Sequence, residues 1–312
     1  MRVLFWGTPV FATPPLRALL GEGFDVVGVV TQPDKPVGRS RSHVQASAVK
    51  EVAVAEGLPI LQPERPRGAE FVAQVRELAP DLSVVVAYGH ILPAEVLALP
   101  PRGTLNVHAS LLPQLRGASP IQAAIREGHT KSGVTVMRMV QRLDAGPIIL
   151  QLATDILEDE TGGELGLRLA ELGATALIEA LALIEMGHAT EQPQDEALAT
   201  YAGKIDRDTT RIDWTQDAGV IARAIRAYDP RPAAWSTLDG KDVKLFGARP
   251  EPPPFGAPAA AGAVVSASAD GLLVACGTGA VRVQQAQPAG QKRLAIADWA
   301  RGRGVGAGQR FA

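Results

Sequence analysis

The chain has 312 residues, 46% of them hydrophobic and 21% charged, with a formal net charge of −2, which excludes a disordered or fibrous protein and at this length favours two domains over one. The near-neutral total hides an asymmetry. From Asp206 to Ala312 there are 14 Lys/Arg against 10 Asp/Glu, a net +4 that leaves −6 for the first 205 residues, and a basic second part suits a phosphate-bearing partner as well as a solvated surface.

In chain order, short β-branched runs predict strands over Val3 to Trp6, Val26 to Thr31, Leu82 to Ala87, Thr104 to His108 and Val134 to Val140. Helical patterns over Pro14 to Leu20, Ala46 to Glu56, Glu70 to Leu78, Ala94 to Leu97 and Pro120 to Arg126 alternate with them. Thr13 before Pro14 and Ser119 before Pro120 each pair a capping side chain with proline at the first helical position. Such alternation predicts an α/β fold with a doubly wound, mostly parallel sheet. The segment Pro33 to Val49 is long for a strand-to-helix loop and carries Lys35, Arg39, Arg41 and His43. Thr161 and Glu164 form a capping-box pattern opening a helical region to about Met186, with a break expected near Gly173. A polar, aperiodic stretch from Gly187 to about Asp206 reads as a linker. Beyond it a helix is expected over Asp217 to Ala227. Short strands follow at Ala234 to Leu238, Val243 to Phe246, Ala263 to Ala267, Leu272 to Ala275 and Val281 to Gln284, with Asp239-Gly240 and Asp270-Gly271 as hairpin turns and Pro250 to Pro258 as a surface loop. Together they suggest a small barrel.

Cys276 is the only cysteine, so no intrachain disulfide can form and a reducing cytoplasm is the expected location. The N-terminal apolar run, Met1 to Trp6, is too short for a signal peptide or membrane span. The five histidines lack ligand spacing, so no metal is expected. Gly7-Thr8-Pro9 follows the first strand where a dinucleotide fingerprint would sit, but the second glycine of that fingerprint is missing.

One constellation carries chemistry. On a strand from Thr104 to His108, side chains alternate faces, so Asn106 and His108 share a wall while Val107 enters the packing. A rigid turn follows at Ser110-Leu111-Leu112-Pro113, and an acid, Asp144, stands before Gly146 in a second loop. Each residue alone has a plainer reading: a packed histidine, a turn asparagine, an Asx-turn acceptor. The conjunction of a same-face Asn/His pair at a strand end, a rigid turn directly after it and an acid in a second loop is what points to a catalytic site.

The run Asn106 to Pro113, with Arg116-Gly117-Ala118, Pro120-Ile121-Gln122 and Leu143-Asp144-Ala145-Gly146, resembles the folate-dependent formyltransferases. Further motifs are similar to the branch of that family acting on initiator tRNA: Gly7-Thr8-Pro9, Thr31-Gln32-Pro33-Asp34, Val85-Val86-Ala87-Tyr88-Gly89, Thr200-Tyr201-Ala202, Arg211-Ile212-Asp213-Trp214 and Gln287-Pro288-Ala289-Gly290. They span nearly the whole chain.

The resemblance implies a Rossmann-like formyltransferase catalytic domain over residues 1–188, a linker over 189–206, and an OB-like tRNA-binding barrel over 207–312. It implies transfer of a formyl group from 10-formyltetrahydrofolate, the co-substrate, to the α-amino group of methionyl-initiator tRNA, by a monomer without metal or membrane attachment. By the same resemblance Asn106, His108 and Asp144 are the catalytic residues. Ser110, Leu111, Leu112 and Pro113 border the folate, with Tyr88 to Leu92 and Val140 to Leu143 adding backbone contacts. Arg39, Arg41 and Lys204 meet the tRNA. Two alternatives stay open at this point: a sibling enzyme formylating a small amine such as glycinamide ribonucleotide or an amino sugar nucleotide, and a non-enzymatic RNA-binding protein.

Overall fold

The computed structural model describes residues 1–37, 43–253 and 259–312. The chain divides into two compact units. The first comprises Met1–Pro120, Ser132–Thr154 and Gly166–Ala202, and the second comprises Ile121–Lys131, Asp155–Leu165 and Gly203–Ala312.

The first half of the chain runs β1 (Arg2–Gly7), α1 (Thr13–Gly21), β2 (Asp25–Val30), β3 (Lys35–Val37), β4 (His43–Gln45), α2 (Ala48–Ala55), β5 (Ile60–Leu61), α3 (Ala69–Glu77), β6 (Leu82–Val86), α4 (Ala94–Leu97), β7 (Thr104–His108) and β8 (Arg116–Gly117). It continues through α5 (Pro120–Arg126), β9 (Lys131–Arg138), β10 (Ile148–Asp155), α6 (Gly162–Glu185) and β11 (Tyr201–Ala202). Seven strands form one sheet in the order β10-β9-β7-β6-β1-β2-β5. The neighbours from β5 to β7 pair in parallel, and β9 runs antiparallel to β7. The mostly parallel sheet expected from the alternating pattern is therefore present. Strands β6 and β7 are buried at every residue, which is why they read as near-continuous apolar runs with a few polar interruptions.

Three local expectations change. The segment after Pro33 is not bare loop, since β3 and β4 pair as an antiparallel hairpin, Lys35 opposite Gln45 and Pro36 opposite Val44. Its base is tied by Asp34, which accepts from Lys50 Nζ at 2.5 Å and from Gln62 Nε2 at 2.8 Å; these two donors hold its carboxyl below the usual carboxylate range. Arg39 and Arg41 lie outside the described residues. β10 was not anticipated, because Ile149 alone of its eight residues is buried and its apolar signal is weak.

The break expected at Gly173 is absent. α6 is continuous over 24 residues, opened by a reciprocal cap in which Thr161 N donates to Glu164 Oε2 at 2.9 Å and Glu164 N donates to Thr161 Oγ1 at 3.2 Å. Gly173 serves packing instead: a Cβ there would lie 3.1 Å from Val107 Cγ1, so the helix comes close enough to β7 that only hydrogen fits comfortably. Replacing Gly173 with leucine is expected to overpack this contact and lower stability by about 1–3 kcal/mol, read as a fall in Tm. Activity should fall with it, since Val107 stands between Asn106 and His108.

The second unit contains α7 (Ala218–Tyr228), β12 (Ala234–Leu238), β13 (Lys241–Glu251), β14 (Val264–Ser268), β15 (Gly271–Ala275), β16 (Ala280–Pro288), β17 (Leu294–Ala295) and α8 (Ile296–Arg301). Its strands follow the order β12-β13-β16-β15-β14, with β17 on β16. The last residues bridge the sheet's two edges: Phe311 pairs with Leu238 of β12 and Arg310 with Ala263 beside β14. Ala312 and Thr237 exchange backbone hydrogen bonds, and Phe311 N donates to Gly262 O at 2.8 Å. The C-terminal β unit thus hides both edge strands with its own tail. Pro250, expected in the surface loop, is instead the register partner of Val281 within β13, and 254–258 lie outside the described residues. α8 escaped the sequence reading because six residues are too few to show a period. Cys276 sits in this core, where burial pushes its thiol up to about 12, consistent with an inert packing role.

Candidate active site

β7 delivers Asn106 and His108 to one side of the sheet, 8% and 6% exposed, and Val107 to the other. The imidazole is fixed by the turn that follows it. His108 Nε2 lies 2.9 Å from the carbonyl oxygen of Leu115, and because a carbonyl can only accept, Nε2 carries the hydrogen. Nδ1 is then the nitrogen left to exchange a proton.

Nδ1 faces Asp144 Oδ2 at 3.8 Å. This is ion-pair range when the ring is charged but too long for a hydrogen bond, so the imidazole takes its orientation from Leu115 and not from the carboxylate. The carboxylate has another donor: Gly117 N reaches Asp144 Oδ2 at 2.8 Å. Gly117 is required there, with φ +114° and a would-be Cβ only 2.5 Å from Ala202 O.

The route by which Asp144 arrives is not the one a shared strand edge would give. Because β9 is antiparallel to β7, with His108 opposite Thr135 and Leu105 opposite Arg138, the loop after β9 departs beside Leu105. Three residues of strand separate Leu105 from His108, about 10 Å, which the loop retraces.

Asn106 differs from its neighbours in having no hydrogen bond from its carboxamide. Among the described residues the sealed polar side-chain atoms without a partner are Tyr88 Oη and Ser132 Oγ, and Asn106 is not one of them. Its amide is unpaired yet reachable. Tyr88 is a different case, since burial pushes its phenol up to about 12 and it stays neutral at physiological pH. Its carbonyl is engaged by Thr8 Oγ1 and Gln32 Nε2, both at 3.0 Å.

The turn after β7 is pinned from beneath. Ser110 Oγ donates to Gln114 O at 2.6 Å, Thr135 Oγ1 donates to Ser110 O at 2.6 Å, Leu112 N donates to Thr135 Oγ1 at 3.1 Å, and Gln151 Nε2 donates to Leu112 O at 2.8 Å. Ser110 and Leu112 are buried, whereas Leu111 and Pro113 keep part of their surface, as do Ile91, Val140 and Leu143 on other loops of the unit.

Protein-family comparison matches residues 1–181 to the formyl transferase model and residues 204–304 to the formyl transferase C-terminal domain model. The chain belongs to the formyl transferase family. The methionyl-tRNA formyltransferase of Pseudomonas putida (strain GB-1) is 48% identical over 96% of this chain and 94% of that protein. That of Magnetococcus marinus is 48% identical over 99% of this chain and 98% of its own length. Among solved structures, HypX from Aquifex aeolicus in complex with tetrahydrofolic acid superposes with a TM-score of 0.65 at 23% identity, covering 96% of this chain and 46% of that one. That last likeness shows the formyl transferase fold, and the chain spans about half of HypX.

Sequence reasoning missed the residues that brace this candidate site. Arg116, quoted only as part of a motif, is fully buried and forms a bidentate pair with Glu196 at 3.0 and 3.1 Å. Glu196 lies in the stretch expected to be linker, as do Gln192, Gln194 and Thr200. Residues up to Ala202 instead belong to the first unit, where Gln192 bridges Ile148 and β11 pairs in parallel with β8. Nothing in a polar, aperiodic segment signals this.

The Arg116 hydrogen bond, joined by one from Arg142, holds the Glu196 carboxyl below the usual carboxylate range. A carboxylate depressed on folding stabilises above its unfolded pKa and loses that contribution as pH falls through its folded value. Glu196→Gln should therefore flatten the acid limb of a Tm-against-pH curve below the ordinary carboxylate range; an unchanged acid limb would show that the pair adds nothing.

No group of three or more His, Cys, Asp or Glu able to hold a metal ion occurs among the described residues, and no described helix is long and apolar enough to cross a membrane. A cavity of about 400 Å3 lies in the second unit, lined by Arg223, Arg226 and Arg249 together with Glu158, Asp159 and the first turn of α7. It contains none of Asn106, His108 and Asp144.

Proposed function

We propose that this chain transfers the formyl group of 10-formyltetrahydrofolate to the α-amino group of methionine esterified to initiator tRNA, in the cytoplasm and as a single chain. Family membership and the near-full-length likeness to methionyl-tRNA formyltransferases support the reaction. One observation carries the assignment of roles: an unpaired, reachable Asn106 carboxamide on the same strand face as His108, whose free Nδ1 stands beside Asp144.

The chemistry asks for three services. As the amine nitrogen bonds to the formyl carbon and the bond from that carbon to N10 breaks, the carbonyl oxygen gains charge, the amine loses a proton and N10 gains one. Asn106 has amide hydrogens uncommitted to protein and donates them to the oxygen. His108, its Nε2 hydrogen engaged by Leu115, exchanges the proton at Nδ1. Asp144 stabilises the imidazolium that results until Nδ1 hands that proton on to the departing N10.

The folate fits the turn after β7 by division of labour. Ser110 and Leu112 hold the backbone, their polar groups already spent within the protein, and partly exposed Leu111 and Pro113 present apolar surface to a flat ring. In tRNA recognition, the net positive charge after Asp206 favours a phosphate-bearing substrate over a small amine. Arg39 and Arg41 remain proposed contacts from outside the described residues. Lys204 is exposed at the start of the second unit. Lys204→Glu is expected to raise KM for the charged tRNA by roughly tenfold at moderate salt with KM for the folate unchanged.

The deciding assay incubates the protein with 10-formyltetrahydrofolate and, separately, initiator and elongator methionyl-tRNA. Formylmethionine on the initiator alone is the expected result. Formylation of glycinamide ribonucleotide or an amino sugar nucleotide with neither tRNA modified would overturn the reading.

A further inference from the structure

We propose that residues 192–202 form a positioning strap for the catalytic centre, in which Gln194 fixes the Asp144 loop and Thr200 fixes the His108 ring through Leu115. The inference rests on the roles given above to His108 and Asp144.

Asp144 and Leu115, the two residues through which the centre is built, both have left-handed backbones, φ 48° and 57°, although neither is glycine. Such a backbone is disfavoured for a residue with a side chain and persists only where its surroundings hold it. The strap holds both. Gln194 Nε2 donates to the carbonyl oxygens of Asp144 and Gly146, each at 2.8 Å, spending both amide hydrogens on the loop. Gln194 Oε1 accepts from Arg116 Nε at 3.0 Å and Nη2 at 2.7 Å. Since a guanidinium can only donate, the amide has one permissible orientation, with its nitrogen toward Asp144. Arg116 is itself buried and locked by Glu196, so the chain from Glu196 through Arg116 and Gln194 to the Asp144 backbone has every member satisfied.

Thr200 acts on the other partner. Its Oγ1 accepts from Leu115 N at 2.9 Å, and the carbonyl of that same Leu115 accepts from His108 Nε2 at 2.9 Å. Flanking backbone bonds, Thr200 N to Pro113 O at 3.3 Å and Arg116 N to Thr200 O at 2.9 Å, seat the hydroxyl. Neither Gln194 nor Thr200 has a hydrogen bond or ion pair with the side chain of Asn106, His108 or Asp144. They are positioning residues.

The test uses Gln194→Glu and Thr200→Val in the full chain, with Asp144→Asn as reference, measuring kcat and KM for both substrates and Tm. Glutamate keeps the length of the side chain and its bond to Arg116, but turns an acceptor toward two carbonyls. We expect kcat to fall by about ten- to a hundredfold, with both KM values within about twofold and Tm within a few degrees. The double variant Gln194→Glu/Asp144→Asn should be no slower than Asp144→Asn alone. Thr200→Val should lose kcat in the same way, and Thr200→Ser, which restores the hydroxyl, should recover it. Wild-type kcat in Gln194→Glu beside a crippled Asp144→Asn overturns the strap and leaves the reading of the centre standing. So does a double variant whose losses multiply, or a loss that merely tracks unfolding. Wild-type kcat in Asp144→Asn overturns both.

Discussion

Asn106→Ala is expected to lower kcat by about a hundred- to a thousandfold while leaving the fold intact, the loss typical of removing one preorganised donor from a developing oxyanion. The expectation rests on the state of the side chain. Asn106 is 8% exposed and has no hydrogen bond from its carboxamide among the described residues, so its removal orphans no protein group. Stability should therefore change little. The strand beneath is secured independently, through Val107 against Gly173 and through pairing with β6 and β9. Steady-state kinetics with initiator methionyl-tRNA, beside a thermal melt, decide the matter. A fall in kcat of less than about threefold would remove Asn106 from the oxyanion role.

The second expectation concerns His108 and Asp144 as a pair. Each single replacement, His108→Ala or Asp144→Asn, should cost kcat roughly a hundredfold or more, and the double variant should be little worse than the slower single. The reason is division of labour over one proton. Nε2 is committed to Leu115, so only Nδ1 can carry the proton, and the charge it then bears lies 3.8 Å from Asp144 Oδ2. With the ring gone, the carboxylate has no imidazolium to stabilise; with the carboxylate gone, the ring holds its proton unassisted. Losses that multiply in the double variant would mean that the two groups act on different steps.

The strand from Thr104 to His108 was placed residue for residue, as were α4 and α5, because a buried parallel strand and a proline-opened helix are local signals. The pairing of Asn106 with His108 on one face followed from the two-residue period alone. What misled was glycine. Gly173 read as a helix break since propensity disfavours it in a helix interior, whereas its value lies in letting α6 approach Val107. The linker misled too, for the bonds of Gln194 and Thr200 span 48 to 87 residues of sequence.

The order of elements, the same-face Asn106 and His108, and the family motifs were determined by the amino-acid sequence itself, since each depends on periodicity or on short runs of neighbouring residues. Only the tertiary structure decided that Leu115 orients the imidazole, that the loop bearing Asp144 doubles back along an antiparallel neighbour, and that Arg116 is buried beneath a strap. The physical reason is common to all three. A hydrogen-bond donor or acceptor is chosen by proximity in space, and residues distant in sequence become neighbours only when the sheet has fixed its strand directions.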